Sequence, residues 1–467
     1  MEFSKLDQIE FVRDRVIHKS AGGFVFHESP YDHILYVALL QKQDRKFFIP
    51  KGHLLKNEKP ENAAIREVKE ELLLKDNPKI IAKLGVDNYI FNLPNDNRLH
   101  YKDVHLYVFL LEQKSLIEPL KDEDFINAEW LRFNDALEKI SFDKNNLLKA
   151  RQYFYFNKSV RLFDNLNDIK SISVGIPSYN GSKTIYKTLQ SVVKSLNLLS
   201  ESILKEIIIC FDHCTDNTYN IVKDFISKED LKNIKIKLIY NDGVKGKSTA
   251  LNKIFSNSLS DFLCFVDDDV ILDDKCILNL INAFILEKDL RCNYAKWRRK
   301  SLISNNPWKK FWHWIFGVKF DIQPYDKPSE IMRASCMMLQ RENFVYMSDD
   351  IKNDDQFLQY IYWPNTREIQ NAIIFFNSVS SVSDYYKRFI RIMSGSRQLK
   401  REFTKERIDN CNKDLYRKID YKKILQLPLR QQLPFLFYRF IRFFINLIVV
   451  IKLSFNNHYE WFRIKQN

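Results

Sequence analysis

Between residues 172 and 266 the sequence alternates short apolar runs with segments of helical character. The apolar runs are Ile172–Pro177, Glu206–Phe211, Ile234–Tyr240 and Phe262–Val266, and the helical segments between them are Lys183–Ser195, Asn217–Ile226 and Ser248–Asn257. Strands that alternate with helices in this way favour an α/β fold with a doubly wound parallel sheet. Because such sheets bind ligands at the carboxyl ends of their strands, the polar residues that follow each run are the first candidates for a functional site.

Polar groups follow these runs in a regular order. They are Pro177 with Tyr179, then Asp212, then Lys247, then Asp267 with Asp269. Two carboxylates in D-x-D spacing beyond an apolar strand can hold a divalent ion that bridges a diphosphate. A lone D-x-D is equally typical of a solvated turn. The prediction of a site therefore depends on the order and spacing of the whole set.

Together these elements resemble inverting glycosyltransferase family 2, which has the Rossmann-like GT-A fold. The resemblance covers roughly residues 170–400. It implies a nucleotide-sugar donor whose nucleoside contacts Pro177, Tyr179 and Asp212. His213 stands where the family often has glycine, so we expect contacts to the base to differ there.

The same resemblance covers the diphosphate side of the donor. It implies that Asp267 and Asp269 bind Mg²⁺ or Mn²⁺, with Asp269 the better candidate for direct metal contact. Asp267 and Lys247 are also expected to bind the donor.

Three arginines form a basic group further along the chain. Arg388, Arg391 and Arg397 surround Ser394–Gly395, and the region is similar to the family's arginine-bearing region near the diphosphate. The similarity implies that Arg391 binds the donor, where a guanidinium would neutralise the departing nucleotide. A solvated basic helix accounts for the same residues equally well.

The catalytic base is expected on the acceptor side of the site. The segment Asn353–Leu358 resembles the family's E-D-x-x-L element, whose second acid is the base. An inverting transfer needs one carboxylate to deprotonate the acceptor hydroxyl while that oxygen attacks the anomeric carbon. The resemblance assigns this role to Asp355, with Asp349 and Asp350 as rivals. Asp354 better fits a cap at a helix N-terminus.

A second concentration of acids lies much earlier in the chain. In the predicted helix Pro60–Leu74, Glu67, Glu70 and Glu71 stand at i, i+3 and i+4, so their carboxylates share one face. Carboxylates this close repel one another unless a positive charge lies among them. Mg²⁺ or Mn²⁺ is the economical explanation, because it could hold a diphosphate and polarise an attacking water. Plain surface acids are the alternative.

The residues around these acids resemble the Nudix box. Gly52, Glu58 and the run Arg66–Leu74 match its spaced pattern at every position except the last glycine. The resemblance implies a Nudix α/β/α sandwich with a mixed sheet over residues 1–148, similar above all to dinucleoside-polyphosphate hydrolases. It also implies that the three glutamates bind the metal ion, with Glu70 and Glu71 as the catalytic residues.

Leu73 stands where the Nudix box has its closing glycine. Glycine there permits a left-handed helix ending, which leucine adopts only at a cost. Arg66 and Glu58 are expected to brace the loop and the helix. Two interpretations stay open: a hydrolase of a nucleoside diphosphate derivative, and a non-catalytic, nucleotide-sensing module.

The positive charge of the chain is concentrated near its end. Of a formal net charge of +14, about +13 lies in residues 387–467, which hold 19 Lys and Arg against 6 Asp and Glu. Residues 401–467 are expected to form a basic, partly amphipathic helical tail. Leu433–Phe455 is strongly apolar, but a polar stripe at i, i+3 and i+7 begins at Arg439. A helix lying in the plane of an anionic membrane surface, a docked helix and a spanning helix all remain open.

Aromatic residues crowd one short segment together with two lysines. They are Trp308, Phe311, Trp312, Trp314 and Phe316. An acceptor-sugar platform, a membrane-facing patch and core beneath a loop each account for such a cluster. No nucleic-acid-binding module is recognisable, so nucleic acid is not expected as a partner.

Cysteine spacing and the first residues favour a reduced cytoplasmic setting. The seven cysteines form no C-x-x-C pair, and Met1–Lys5 begins no apolar run suited to a signal peptide. Attachment to the inner face of the cell membrane is an open alternative.

The sequence as a whole predicts two active sites joined by a connector over residues 149–169. One transfers a sugar to a glycan or lipid-linked acceptor with inversion, and the other hydrolyses a nucleoside diphosphate derivative.

Overall fold

The computed structural model describes residues 9–12, 15–30, 34–93, 96–120, 124–141, 143–157, 162–300, 305–322, 332–415 and 419–455. The chain divides into two compact units, Met1–Ser159 and Val160–Asn467. The first residues, Met1–Lys5, for which no signal peptide is expected, lie outside the described residues. So do residues 456–467 of the expected tail.

A mixed sheet forms the body of the first unit. Its strands are β1 Ile9–Val12, β2 Arg15–Glu28, β3 Leu35–Lys42, β4 Phe47–Phe48, β5 Lys51–His53, β6 Lys79–Leu93, β7 Asp96–Leu110 and β8 Phe125–Arg132. The order is β4-β3-β2-β7-β6, with β1 and β5 paired to β2 and β8 paired to β3. Strands β2 and β7 run parallel, whereas β2 and β3 are antiparallel, as are β6 and β7.

Three helices accompany this sheet: α1 Pro60–Glu71, α2 Phe133–Lys139 and α3 Lys144–Asn157. The apolar residues that predicted α1 are all fully buried, namely Ala63, Ala64, Val68 and Leu72. The adjoining, acid-bearing face of α1 lies against β5, where the backbone N–H of Lys51 donates a hydrogen bond to Glu71. Helix α3 packs within the first unit. Its residues 149–157 belong to the segment 149–169 that was expected to be a connector.

The second unit contains a sheet of eight strands. They are β9 Ser171–Ser178, β10 Leu204–Phe211, β11 Ile234–Tyr240, β12 Phe262–Val266, β13 Ile271–Leu272, β14 Cys292–Arg299, β15 Cys336–Gln340 and β16 Thr366–Phe376. The order is β11-β10-β9-β12-β15-β14-β16-β13. The first four are parallel, and β15 is antiparallel to both of its neighbours. The predicted parallel sheet is therefore one half of a larger mixed sheet.

Ten α-helices belong to the described part of the second unit. They are α4 Ile185–Asn197, α5 Thr218–Lys228, α6 Lys247–Asn257, α7 Cys276–Leu286, α8 Pro307–Ile322, α9 Asp354–Tyr362, α10 Val382–Gln398, α11 Lys405–Leu415, α12 Tyr421–Leu425 and α13 Leu429–Phe455. Short 3₁₀ turns occupy Leu166–Asp168, Arg341–Asn343 and Leu399–Arg401. All five residues of β12 are buried, as a central strand covered on both faces requires.

Helices α8, α10 and α13 share a separate apolar core. Phe316 stacks on Tyr385 with ring centroids 4.4 Å apart, and both belong to this core. The aromatic side chains of α8 differ in their exposure to solvent. Phe316 is 1% exposed, whereas Trp308 is 71% and Trp314 is 44% exposed. The segment is thus partly core and partly surface.

Candidate active sites

The carboxyl ends of β9, β10 and β12 lie side by side at one edge of the second sheet. Strand β9 pairs in parallel with both neighbours, with Ser178 opposite Phe211 and Gly175 opposite Phe265. Because β10 and β11 lie on one side of β9 and β12 on the other, the strand order reverses between β9 and β12. Ligands of open α/β sheets bind outside such a switch point.

Asp212 lies in a buried pocket directly after β10. Its side chain accepts hydrogen bonds from Nδ2 of Asn241 at 2.7 Å and from the backbone N–H of Gly246 at 3.3 Å. Asn241 follows β11, so neighbouring strand ends and the loop before α6 converge on one carboxylate. An acid fixed in this way can accept a hydrogen bond from a nucleoside. Sequence reasoning missed Asn241, although it is also a polar residue that follows a strand.

Pro177 and Tyr179 lie where β9 ends. Pro177 is the register partner of Cys210, and Nζ of Lys245 lies 3.8 Å from the ring centroid of Tyr179. Lys245 precedes Gly246, whose N–H bonds to Asp212, so this pair lies at the same sheet edge as that carboxylate. His213 has a φ of 53°, in the left-handed region, which explains why glycine suits this position.

The three consecutive aspartates after β12 differ in their surroundings. Asp268 is buried, and its Oδ2 accepts a hydrogen bond from the hydroxyl of Ser178 at 2.5 Å. Asp267 and Asp269 are half-buried. The middle aspartate therefore holds the loop against β9, and the two outer aspartates are those of the predicted D-x-D pair.

Lys247 joins the strand-end acids to the acids of α9. Its Nζ lies 2.7 Å from Oδ1 of Asp267 and 2.9 Å from Oδ2 of Asp354. Burial opposes the positive charge, but the carboxylates of Asp267, Asp354 and Asp355 outweigh it and raise the pKa of Lys247 well above its usual value. The ammonium is therefore charged at neutral pH and connects the starts of α6 and α9 to the end of β12.

Asp354 and Asp355 are the first two residues of α9. The N-cap is Asn353, whose side chain accepts a hydrogen bond from the backbone N–H of Gln356, so the capping role expected of Asp354 is wrong. Burial, followed by the charge of Asp354, raises the pKa of Asp355 to about 7, while Lys247 opposes this shift. A carboxyl group that titrates near neutrality is suited to general-base chemistry.

Asp349 and Asp350, the rival candidates for the base, lie in the turn before α9. The backbone carbonyl of Asp349 accepts a hydrogen bond from the hydroxyl of Ser248 at 3.1 Å. The carboxylate of Asp350 accepts one from Nε2 of Gln398 at 2.7 Å. Both aspartates are exposed, whereas Asp355 lies among the charged groups around Lys247.

Helix α10 brings two of the three predicted arginines toward the site. Burial and the neighbouring charge of Arg391 lower the pKa of Arg388, while Asp355 and Asp269 oppose this shift. The charge of Arg391 in turn acts on Asp355. Arg397, further along α10, is exposed. Arg388 and Arg391 of the basic group therefore act electrostatically on the candidate acids.

The position of α10 depends on a close approach at Gly395. A Cβ atom there would lie 2.6 Å from Cβ of Asn353, the residue that caps α9. The next residue, Ser396, donates a hydrogen bond to Oε1 of Gln356 at 2.6 Å. Glycine is required because the two helices touch where the acids of α9 begin.

Trp297 is a residue of this region that sequence reasoning missed. The guanidinium carbons of Arg333 and Arg388 lie 5.1 Å and 5.7 Å from its ring centroid. Phe376 of the neighbouring strand β16 also packs against this ring, with the centroids 4.5 Å apart. The sequence shows a run of basic residues after Trp297. Because basic runs are usually part of a solvated surface, this run did not indicate a functional position.

The side chains at the end of β12 fit a hard divalent cation. Asp267 and Asp269 offer carboxylate oxygens, which Mg²⁺ and Mn²⁺ prefer. Because Lys247 contacts Asp267, a cation would compete with the ammonium for that carboxylate. Within the described part of the chain, no group of three or more His, Cys, Asp or Glu side chains could hold a metal ion. Further ligands at this site would therefore come from donor phosphate and water.

In the first unit, Arg66 lies at the centre of the acids on α1. Its guanidinium contacts Glu58 at 2.9 Å, Glu67 at 2.7 Å and Glu70 at 3.1 Å. The hydrogen bonds with Glu58 are the main cause of a raised pKa of Arg66. Nη2 also donates to the backbone carbonyl of His53 at 2.9 Å. The positive charge expected among the glutamates is thus supplied by a guanidinium.

Glu67 and Glu71 are buried, whereas Glu70 is exposed. Oε2 of Glu71 accepts a hydrogen bond from the backbone N–H of Lys51 at 2.8 Å. A Cβ atom on Gly52 would overlap the carboxyl group of Glu67, so glycine is required at this close approach. The carboxylate oxygens match Mg²⁺ or Mn²⁺ in type, but with Arg66 among them the three glutamates are not gathered as one metal site within the described residues.

Leu73 ends α1 in the left-handed conformation, with a φ of 47°. Its N–H bonds to the carbonyl of Glu70 at 3.3 Å, and the N–H of Leu74 bonds to the carbonyl of Lys69 at 3.0 Å. These two bonds form a Schellman ending, in which glycine is the usual residue. Leucine keeps the helix ending of the Nudix box at a cost of about 1 kcal/mol.

Three histidines of the first unit form a chain that sequence reasoning missed. Nε2 of His53 lies 3.3 Å from Nδ1 of His18, and Nε2 of His18 lies 2.9 Å from Nδ1 of His100. Burial lowers the pKa of His53 to about 4, and burial and the charge of His100 lower the pKa of His18. The residues come from separate strands, so only the register of the sheet brings them together.

The architecture and the acid clusters define a chain of two α/β units with different sites. Residues 17–150 match the family model described as NUDIX domain, and residues 173–346 match the model described as Glycosyl transferase family 2. The chain therefore contains a NUDIX domain followed by a glycosyltransferase family 2 domain, as the sequence motifs predicted.

Two relatives with curated descriptions are similar to part of this chain. A "Probable glycosyltransferase YdaM" of Bacillus subtilis (strain 168) is 30% identical over 149 residues, which is 32% of this chain and 34% of that protein. A "Poly-beta-1,6-N-acetyl-D-glucosamine synthase" of Staphylococcus epidermidis is 31% identical over 129 residues, 28% of this chain and 29% of that protein. The chain spans about a third of the length of these relatives.

Two solved structures resemble separate parts of the chain. An Ap4A hydrolase of C. elegans is 22% identical and covers 29% of this chain and 96% of its own, with a TM-score of 0.25. The mannosyltransferase PcManGT of Pyrobaculum calidifontis, in complex with GDP-Man and Mn²⁺, is 13% identical and covers 69% of this chain and 90% of its own, with a TM-score of 0.40.

Proposed function

We propose that the second unit transfers a sugar from a nucleotide-sugar donor to an acceptor hydroxyl with inversion, and that Asp355 is the base. The contact that carries the proposal is the double ion pair of Lys247, 2.7 Å from Asp267 and 2.9 Å from Asp354. It joins the D-x-D acids to the helix that bears Asp355. Donor-side and acceptor-side groups thereby share one electrostatic network.

Donor binding begins at the strand ends. Asp212 accepts hydrogen bonds from the nucleoside, and Pro177 and Tyr179 line its other side. The hydrogen bond from Asn241 at 2.7 Å fixes Asp212, so the carboxylate oxygen that accepts from the nucleoside is oriented before the donor arrives. Asp267 and Asp269 would hold Mg²⁺ or Mn²⁺, which would supply positive charge to the diphosphate.

In the transfer step the carboxylate of Asp355 removes the proton of the acceptor hydroxyl. The oxygen attacks the anomeric carbon from the face opposite the diphosphate, so the bond to the leaving oxygen breaks as the new one forms. Lys247 and Arg391 stabilise the negative charge that develops on the departing nucleotide. A pKa of about 7 for Asp355 leaves a large fraction of the carboxylate available at neutral pH.

The test of this proposal compares substitutions of two aspartates, Asp355 in α9 and Asp349 in the turn before it. In Asp355→Asn the transfer rate should fall by about 10²–10⁴-fold, because the base is lost while the shape is kept. Asp349→Asn is the matched control, because this residue contributes its backbone carbonyl to Ser248. Sugar transfer is measured with radiolabelled donor. Equal rates for the two variants would contradict the assignment of the base.

For the first unit we infer hydrolysis of a nucleoside diphosphate derivative. The support is that Glu67, Glu70 and Glu71 share one face of α1 and that the helix ending survives with Leu73. In this role the glutamates would hold Mg²⁺ or Mn²⁺, and Glu70 and Glu71 would assist the attack of water. Arg66 favours a second candidate, a nucleotide-sensing module, because it already pairs with Glu67 and Glu70.

Hydrolysis and sensing are separated by substituting Glu70. Wild-type protein should hydrolyse at least one of a panel of nucleoside diphosphate derivatives with Mg²⁺, and Glu70→Gln should abolish this. Glu61→Gln, which removes an acid from the first turn of the same helix, is the control. Nucleotide binding by calorimetry without any turnover would instead support the sensing module.

The proposal extends to the acceptor and the location. A glycan or lipid-linked acceptor, in polysaccharide biosynthesis, agrees with the polymer synthase among the relatives. All seven cysteines are free thiols, which suits the cytoplasm. The enzyme would work there at the inner face of the cell membrane.

A further inference from the structure

Helix α13 buries one of its faces inside the second unit. Phe435, Tyr438, Ile445 and Val449 are each at most 5% exposed and belong to the core shared with α8 and α10. The hydroxyl of Tyr438 lies 3.3 Å from that of Tyr385 on α10. These contacts determine which side of the 27-residue helix is turned toward the protein.

The opposite face of α13 is apolar and exposed. It is represented by Leu433, Leu436, Phe440, Phe443, Leu447 and Ile451, which are 47–64% exposed. With 3.6 residues per turn, these six side chains fall within roughly 80° of one another. We call this surface the outer face of α13. Soluble monomers rarely expose a contiguous apolar surface of this extent without a partner.

Exposed tryptophans of α8 extend the outer face. The ring of Phe311 lies 6.1 Å from Trp308, 6.4 Å from Trp314 and 6.3 Å from Phe437 of α13, measured between centroids. The apolar surface therefore continues from one helix to the other. Exposed tryptophans beside an apolar surface are typical of the boundary between water and lipid.

Positive charges border this surface. Arg430, Arg439 and Lys452 of α13 are exposed, and Lys310 is exposed beside Trp308. The sequence of α13 contains no Asp or Glu. Long basic side chains at the edge of an apolar surface can reach lipid phosphates while their stems stay on the hydrocarbon side. The charge pattern is complementary to an anionic membrane surface.

We propose that α13 and the adjoining end of α8 lie flat on an anionic phospholipid bilayer, with the outer face of α13 among the upper acyl chains. By length and composition Leu429–Lys452 is also apolar enough to cross a membrane. Crossing would expose Phe435 and Tyr438, whereas lying flat preserves their packing. In a symmetric dimer through this face, the basic residues of the two copies would repel each other.

The surface lies one helix away from the transferase site. Helix α10 packs against α13 through Tyr385 and Ile390, and the charge of Arg391 on α10 acts on Asp355. If the proposed transferase function holds, an acceptor anchored in the same bilayer is held near the base. This consequence depends on the proposed function, whereas membrane binding itself does not.

The test is flotation of the full chain with vesicles of phosphatidylcholine alone or mixed with phosphatidylglycerol. The triple variant Leu436→Gln, Phe440→Gln, Leu447→Gln alters the outer face only. Its control is Leu204→Gln, Leu259→Gln, Leu286→Gln, which changes three leucines of the same unit that are 70–88% exposed. Thermal unfolding of both variants establishes that the core is unchanged.

Wild type and control should float with the anionic vesicles, and the outer-face variant should bind at least ~10-fold more weakly. Binding should weaken as salt is raised. Absence of vesicle binding, or equal binding by the outer-face variant, would overturn the proposal. So would a wild-type dimer that the outer-face variant dissociates, because the face would then bind a second copy. Resistance of cell-membrane-bound protein to alkaline extraction would establish a spanning helix instead. Donor turnover is measured on protein without vesicles. A failure of membrane binding can therefore be distinguished from a failure of the transferase function.

Discussion

Lys247 links the two ends of the proposed transferase site, because its ammonium contacts both Asp267 and Asp354. The D-x-D pair was predictable because acids after an apolar strand gather at the sheet edge. The sequence could not show that Asp268 bonds to Ser178, because those residues meet only through the pairing of β9 with β12. The link of Lys247 to Asp354 was hidden for the same reason, since the two residues are far apart in the chain.

The pKa of Asp355 leads to a prediction for the pH dependence of transfer. Below about 7 the carboxyl group of the free enzyme is protonated and cannot accept the hydroxyl proton. We expect kcat/KM to rise about tenfold per pH unit at low pH and to level off above a midpoint near 7. Initial rates between pH 5 and 9 would check this. An unchanged profile in Asp355→Asn would point to another base.

Leu73 leads to a prediction for stability. Because Leu73 adopts a φ of 47° and is 42% exposed, Leu73→Gly should relieve strain and lose little apolar contact. The greater freedom of glycine in the unfolded chain offsets part of the strain relieved, which is about 1 kcal/mol, so we expect a net gain of up to about 0.5 kcal/mol in the free energy of unfolding. Urea unfolding of the full chain, followed through the first unit, measures the change. A loss of stability would contradict the left-handed ending.

At the level of helices and strands, the contact of α10 with α9 predicts a loss of activity without unfolding. Gly395→Ala places a Cβ against Asn353 and should displace α10, together with Arg391, from the acids of α9. We expect kcat to fall by about 10–100-fold, because small misplacements of charged groups reduce catalysis strongly. Ser383→Ala, at an exposed position of α10, is the control and should retain its rate.

The histidine chain predicts that acid destabilises the first unit. The folded unit holds His53 with a pKa of about 4, below the usual 6.5, so the folded state prefers the neutral ring. This contribution to stability is present above pH 6.5 and is lost as the pH falls toward 4. Hydrogen exchange in β2 and β7, compared at pH 7 and 5 after correction for intrinsic rates, should show faster opening at pH 5. His53→Gln should reduce this difference.

The elements themselves were predicted unevenly. Strand β12 and helix α1 were predictable because each carries a clear apolar pattern, continuous in β12 and helical in α1. Strands β14 to β16, of which β15 runs antiparallel to its neighbours, were not predicted, because helices α8 and α9 separate them in sequence and their pairing depends on contacts across the sheet. The sequence also did not show which side of α13 is exposed, because apolar residues occur around most of the circumference of that helix.

At the scale of the whole molecule, two families were predictable because each depends on several motifs in order. The matches over residues 17–150 and 173–346 confirm both. The activities themselves depend on charges that the sequence does not position, such as Arg66 among the glutamates. The transferase is the central claim, because its donor-side and acceptor-side groups meet through Lys247.

One measurement tests that claim most directly. The full chain is incubated with Mn²⁺ and a panel of nucleotide sugars, and the released nucleotide and the anomeric configuration of the product are recorded. We expect turnover of at least one donor with inversion, and loss of this turnover in Asp269→Asn. Retention of configuration, or turnover that Asp269→Asn leaves unchanged, would contradict it.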